Sequence, residues 1–256
     1  MEAPDVLDLL DLRPGYRELT PPAAGAAIEC LWVRVIPPGG AARALVLPDA
    51  CVDLIWQAGR GAFVAGPDTG PAPAALPAGT VLIGARFLPG AGGGAFGLPL
   101  SELRNLRVDA SELLPEVDGS LPPTLEPRAA LRGVAATAAR LARAGPPDLA
   151  VRFAVGLLAD PHARVGKLAA DIGLSQRQLR RRCDAAVGYG PKTLQRVLRF
   201  RHFLARLNAA GPRADLAAIA YASGYADQAH LTRECTRLAG SPPAALARVR
   251  GGHRGP

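Results

Sequence analysis

The chain has two textures. Between residues 27 and 89, short apolar runs rich in β-branched side chains recur as AIECLWVRVI (27–36), ARALVLP (42–48), CVDLIWQ (51–57), AFVAG (62–66) and TVLIGARFLP (80–89). PPGG, QAGRG, GPDTGPAPAALPAG and PGAGGG separate them. Short runs bounded by glycine and proline predict strands, and their regular spacing predicts a β-sandwich or barrel. From residue 99 the period lengthens. PLSELRN and DASELL read as short capped helices, LEPRAALRGVAATAARLARAG (125–145) as a longer one, and PPD (146–148) as a break. Everything beyond is helical in pattern: 148–160, 165–173, 175–188, 191–207, 215–224, 227–240 and 242–250. The expected class is α+β: a small β-rich domain over 1–122, a helical connector over 123–147, an all-α domain over 148–250 and a disordered tail over 251–256.

The helical part contains a repeat. LAADIGLSQRQLRRRCDAAVGYGP (168–191) aligns with IAYASGYADQAHLTRECTRLAGSPP (219–243). Ala169 matches Ala220 and Gly173 matches Gly224. After one extra residue in the second turn, Leu179, Cys183 and Gly188 match Leu231, Cys235 and Gly240. Each copy reads as a helix, a glycine turn, and a second helix with an N-cap, Ser175 or Asp227. This is a helix-turn-helix pattern, in which the second helix enters the DNA major groove and its early side chains reach base edges. The outward positions are Gln176, Arg177, Arg180 and Arg181 in the first copy, and Gln228, His230, Thr232 and Arg233 in the second. Arginine can pair with guanine through two hydrogen bonds, and glutamine similarly with adenine. PKTLQRVLRFRHFLARL (191–207) predicts one long joining helix.

Charge follows the same division. The chain of 256 residues carries +8 overall. Residues 1–150 hold 12 Lys/Arg against 16 Asp/Glu, a net of −4, and residues 151–256 hold 18 against 6, a net of +12. A basic segment of this kind predicts a polyanion partner. No apolar run approaches the roughly 18 residues of a membrane span, so no membrane partner is expected. The start, MEAPDVLDLLDLRPG, is acidic where a signal peptide is basic, and a cytoplasmic location is expected.

Residues 148–250 resemble the DNA-binding domain of the AraC/XylS family of bacterial transcription regulators. That family's pattern, LA...G.S...L.R.F....G..P, a long helix, then IA...GF.....F.R.F....G.SP, runs through both copies. Cys183 and Cys235 stand where the family usually has Phe, Leu231 replaces a common aromatic, and Ala247-Arg248 replaces a final Tyr-Arg. The resemblance implies double-stranded promoter DNA as partner and base contact from both units, with Ala229 added as an apolar contact. LPDACVDLIWQ and GARFLPGAGGGAFGLPLSELRN are similar to the PDxxVD…GxRFxPG stretches of one subgroup, whose N-terminal domain is cupin-like. For 1–122 the family implies sensing of a small effector and homodimerisation, with RNA polymerase as a further partner for an activator.

Three other features bear on chemistry. Cys51 is the candidate for the alternative reading, a DNA-repair-type alkyl acceptor, but no cysteine cluster accompanies it and a buried structural thiol is expected. Cys183 and Cys235 are expected to pack in helix cores. Asp49 and Asp53 suggest acid–base work, yet every histidine lies beyond residue 150. A turn cap for Asp49 and an Arg86 ion pair for Asp53 are expected, with an anionic effector as Arg86's other use. PGAGGG lacks the GK[ST] of a phosphate loop and reads as a flexible turn. Arg196, Arg199 and Arg201 are expected to contribute phosphate contacts, acid pairing or a solvated surface. No enzyme activity, metal or cofactor is expected. A further alternative is a DNA-binding protein that needs no effector.

Overall fold

The structure is a computed structural model that describes residues 12–20, 27–40, 42–117, 119–211 and 215–251. Strands β1 (Gly15–Leu19), β2 (Ile28–Val35), β4 (Val52–Gln57), β5 (Gly61–Ala65), β7 (Val81–Phe87) and β8 (Arg107–Asp109) form one antiparallel sheet in the order β1-β2-β7-β4-β5-β8. Strands β3 (Ala42–Val46) and β6 (Ala72–Leu76) pair separately. The β-rich first domain is therefore present. β1, β6 and β8 fall outside the predicted strands, and β6, read as a Gly/Pro separator, is the sequence APAAL. Its Pro73 cannot donate to a ladder, and it survives in a strand that, among the described residues, pairs only with β3.

Side-chain alternation gives the sheet two buried faces. Leu31, Val33, Leu54, Trp56, Val64, Ile83 and Phe87 point to one core. Cys30, Trp32, Ile55, Phe63 and Leu82 point to the other, which Leu76 of β6 helps close. The first core is completed by helix α3 (Pro127–Ala144), through Ala130, Leu131, Val134, Ala138 and Leu141. The segment read as a connector is thus a wall of the sheet domain. Its buried face follows helical periodicity, and each fully buried Leu or Val contributes about 1.5–3 kcal/mol.

PGAGGG is not a free turn. Residues Gly92–Phe96 form helix α1, placed where three parts of the chain crowd together. A Cβ on Gly92 would sit 2.3 Å from Val52, one on Gly93 2.6 Å from the Ala185 carbonyl, and one on Gly94 2.4 Å from the Pro146 carbonyl. The glycines are there for close approach. Helix α2 (Ala110–Leu113) follows β8.

The helical domain runs α4 (Leu149–Leu158), α5 (Val165–Asp171), α6 (Gln176–Val187), α7 (Pro191–Ala210), α8 (Leu216–Ala222), α9 (Gln228–Ala239) and α10 (Pro243–Gly251). One core serves both repeats, with Leu179, Cys183, Phe200, Phe203, Leu231 and Cys235 all within 2% of full burial. Gly251 closes α10, and residues 252–256, the rest of the expected tail, lie outside the described residues.

Candidate nucleic-acid interface

The two units coincide down to their hydrogen bonds. After α5, Gly173 takes φ +70° and Leu174 N–H donates to the Ala169 carbonyl at 2.8 Å. After α8, Gly224 takes φ +74° and Tyr225 N–H donates to the Ala220 carbonyl at 3.0 Å. Left-handed backbone at both positions requires glycine. Ser175 then caps α6, accepting from Gln178 N–H while the Gln178 side chain accepts from Ser175 N–H, a full capping box. Asp227 caps α9 through His230 N–H at 2.6 Å. Gly188 and Gly240 end the two helices in left-handed conformation.

These devices fix which side faces out. On α6, Leu179 and Cys183 are buried while Gln176, Arg177, Arg180 and Arg181 are exposed. Arg180 leans on Asp184 one turn on, at 3.7 Å. On α9, Leu231 and Cys235 are buried, Gln228, Ala229 and Arg233 are exposed, and His230 and Thr232 are half-buried. His230 Nδ1 accepts from Ala226 N–H, and its ring meets Tyr225 edge-on at 5.3 Å. This leaves Nε2 as the outward nitrogen. The Thr232 hydroxyl donates to the Gln228 carbonyl at 2.8 Å, so its methyl and lone pairs are what it offers outward.

Of the three uses expected for the arginines of α7, acid pairing is present for Arg196 and Arg201. Arg196 forms a two-bond pair with Glu234 of α9 at 2.7 and 2.8 Å. Arg199 donates to the Pro161 carbonyl at 3.1 Å and lies over the Tyr225 ring at 5.8 Å. Arg201 reaches into the sheet domain, donating to Glu29 at 2.6 Å and to the Asp49 carbonyl at 3.0 Å. Burial would raise the Glu29 carboxyl, but Arg201, aided by the Cys51 thiol and Arg86, holds the group below its usual range. Nothing in the sequence marked Glu29, 172 positions away from Arg201.

The pairings expected around Arg86 are present. Asp49 caps the turn by accepting from Cys51 N–H at 2.9 Å, and Arg86 lies 3.3 Å from Asp53 and 3.4 Å from Asp49. Trp32 Nε1–H donates to Asp53 at 2.7 Å. Cys51 is buried, its thiol donating to Glu29 at 3.3 Å. Burial, reinforced by Asp49, pushes its pKa well up, the reverse of the activated thiolate that alkyl transfer needs. Burial also pushes Cys183 and Cys235 up to about 12, as packing thiols. Among the described residues no group of three or more His, Cys, Asp or Glu could hold a metal ion.

Residues 168–248 match the family described as a helix-turn-helix domain, the span in which the repeat, the caps and the outward arginines lie. Over that span the chain carries a helix-turn-helix domain. Residues 18–109 match a family described as a domain of unknown function, DUF6597. No curated protein matches the chain at a significant level. Among solved structures, wild-type ToxT from Vibrio cholerae strain SCE256 with a bound unsaturated fatty acid is 10% identical, with a TM-score of 0.49 over 91% of this chain and 99% of that one. ToxT from Vibrio cholerae O395 is 10% identical, with a TM-score of 0.47 over 86% and 97%. At these scores the likeness decides neither ligand nor detail of the fold. No helix among the described residues is long and apolar enough to cross a membrane.

Proposed function

We propose that this chain is an AraC-type transcription regulator that reads promoter DNA with both units, α6 and α9 entering successive major-groove segments. The observation that carries the reading is the pair of matching turns that bury Leu179 and Leu231 and turn Arg177, Arg180, Arg181 and Arg233 outward. Arg181 and Arg233 are the candidates for bidentate base contact, Gln176 and Gln228 for adenine, and Ala229 and the Thr232 methyl for a thymine methyl. His230 contributes a donor through Nε2. Helix α7 has 20 residues and so a length of about 30 Å, close to the roughly 34 Å of one duplex turn. It suits two recognition helices on one face of DNA.

The sheet domain is the sensing part in this reading. Its Glu29 and Asp49 grip Arg201 on the helix that joins the units. A change in that domain therefore has a mechanical route to the spacing of the recognition helices. The subgroup kinship of its PDACVD and GARFLPG stretches, a homodimer, a cytoplasmic location and contact with RNA polymerase by an activator belong to the same proposal. The domains divide at about residue 147 in this reading, with α3 on the sheet side.

Selection of binding sites from random duplex DNA by the full-length protein tests it. The expected result is an enriched motif spanning two segments about one turn apart. Retention of random DNA without enrichment would contradict sequence-specific reading and leave an unspecific DNA-binding protein.

A further inference from the structure

A cleft of about 230 Å³ opens where the sheet domain, the start of α7 and the end of α9 meet. Its wall carries three guanidinium groups from three parts of the chain: Arg104 from the turn after residues 100–102, Arg196 from α7 and Arg237 from the last turn of α9. Arg196 is neutralised by Glu234. Arg104 and Arg237 have no ion-pair or hydrogen-bond partner among the described residues. Nearby Asp68 is occupied by Arg107, at 2.6 and 3.0 Å. The cleft thus carries an excess of positive charge, and like charges held together cost energy unless an anion sits between them.

The rest of the lining suits an oxyanion. Thr193 lies in the first turn of α7, a helix end with partial positive charge and no acidic side chain in that turn. The Arg104 side is braced: Asn105, at φ +60°, accepts from both the N–H and the hydroxyl of Thr69, at 2.8 and 3.2 Å. Its own N–H donates to the Pro67 carbonyl at 3.1 Å. The same loop lies against the end of α9, since a Cβ on Gly70 would be 3.7 Å from the Arg237 carbonyl. The volume is below the roughly 300–1,000 Å³ of pockets for drug-sized ligands, so the occupant is small.

We propose that this cleft is a binding site for a small oxyanion, a phosphate or carboxylate group gripped by Arg104 and Arg237 with Thr193 beside them. Such an anion bridges the sheet domain to the C-terminal end of the second recognition helix and so biases the placement of α9 relative to α6. The chemistry of the site stands on its lining alone. Only the consequence for DNA rests on the regulator reading.

Titration calorimetry on the full-length protein tests it, with inorganic phosphate and with succinate as probes and sodium chloride at equal ionic strength as the control. At least one probe should give a saturable isotherm that chloride does not. The tighter of the two identifies the anion as phosphate or carboxylate. Arg104→Ala with Arg237→Ala, both exposed and outside the cores, should weaken it at least tenfold with an unchanged circular dichroism spectrum. No saturable binding by either probe, or equal binding by the double variant, would overturn the site. DNA affinity measured without either probe should be unchanged in the double variant. A lower affinity with a flatter salt dependence would overturn the proposal by assigning the two arginines to DNA phosphates. If the wild type selects no DNA sequence, the regulator reading falls while the titration still decides the cleft.

Discussion

The two helix-turn-helix units have the same backbone and different freedom at their outward faces. In α6 the polar side chains that face solvent are largely unspent: Arg177 and Arg181 point outward and Arg180 is held only by an exposed contact within its own helix. In α9 the His230 ring accepts from the turn before it, the Thr232 hydroxyl is bonded to the helix, and Glu234 is locked to Arg196. The two units share what the motif needs to fold, namely the glycine turn, the N-cap and two buried positions one turn apart. They differ on the face that folding leaves alone. In the proposed reading the first unit makes charge-driven contact through arginine, and the second offers a stiffer surface on which shape and apolar contacts weigh more.

The largest effects should be common to both units. Leu179→Ala and Leu231→Ala each remove a fully buried side chain from the shared core, and each should cost about 2–5 kcal/mol in urea unfolding. A small cost for one alone would mean that its unit is not part of a single core. Next, the turns should separate. Gly173→Ala meets open space and pays only for left-handed backbone, about 1 kcal/mol. At Gly224 the added Cβ also lies 2.3 Å from the Pro161 carbonyl, so Gly224→Ala should cost about 3 kcal/mol. Equal losses would contradict the tighter seat of the second unit.

The ion pairs give a smaller contrast. Glu234→Ala leaves the half-buried Arg196 without its two charged hydrogen bonds and should cost about 1–3 kcal/mol. Asp184→Ala removes an exposed contact to Arg180 and should cost under about 0.5 kcal/mol. Thermal unfolding of the two variants checks the order. Smallest is the effect of pH at the contact both units share through α7. Glu29 has a depressed folded pKa, so its stabilising contribution is complete above the unfolded value of about 4.3 and is lost as pH falls through the folded one. Thermal scans from pH 7 to pH 3 should show wild type losing an increment that Glu29→Gln never has. Parallel curves would mean that Arg201 does not hold an ionised Glu29.

The ease of reading the sequence followed the range of the interactions. Ser175, Gly173 and Leu179 act within one or two helical turns, and the match of their spacing to Asp227, Gly224 and Leu231 located both units. The sheet was legible where runs such as VLIGARFLP are β-branched and apolar. It was not at β6, where alanine and Pro73 form an edge strand that its partner β3 sustains. Gly92, Gly93 and Gly94 looked like slack because the atoms that need their missing side chains belong to Val52, Ala185 and Pro146. Arg201 looked available to DNA because its acid partner lies in the other domain. The outward faces of α6 and α9 were readable as exposed, but the internal bonds of His230 and Thr232 were not.

Base reading by both units is the property on which the proposed function stands. Its most direct test is the affinity of Arg181→Ala and Arg233→Ala for every single-base variant of the selected operator, at one fixed salt concentration. Each substitution should remove about 1–3 kcal/mol of discrimination, Arg181→Ala in one major-groove segment and Arg233→Ala in the other. Uniform weakening across all sequences by Arg233→Ala, with its segment's preferences intact, would contradict base reading by the second unit.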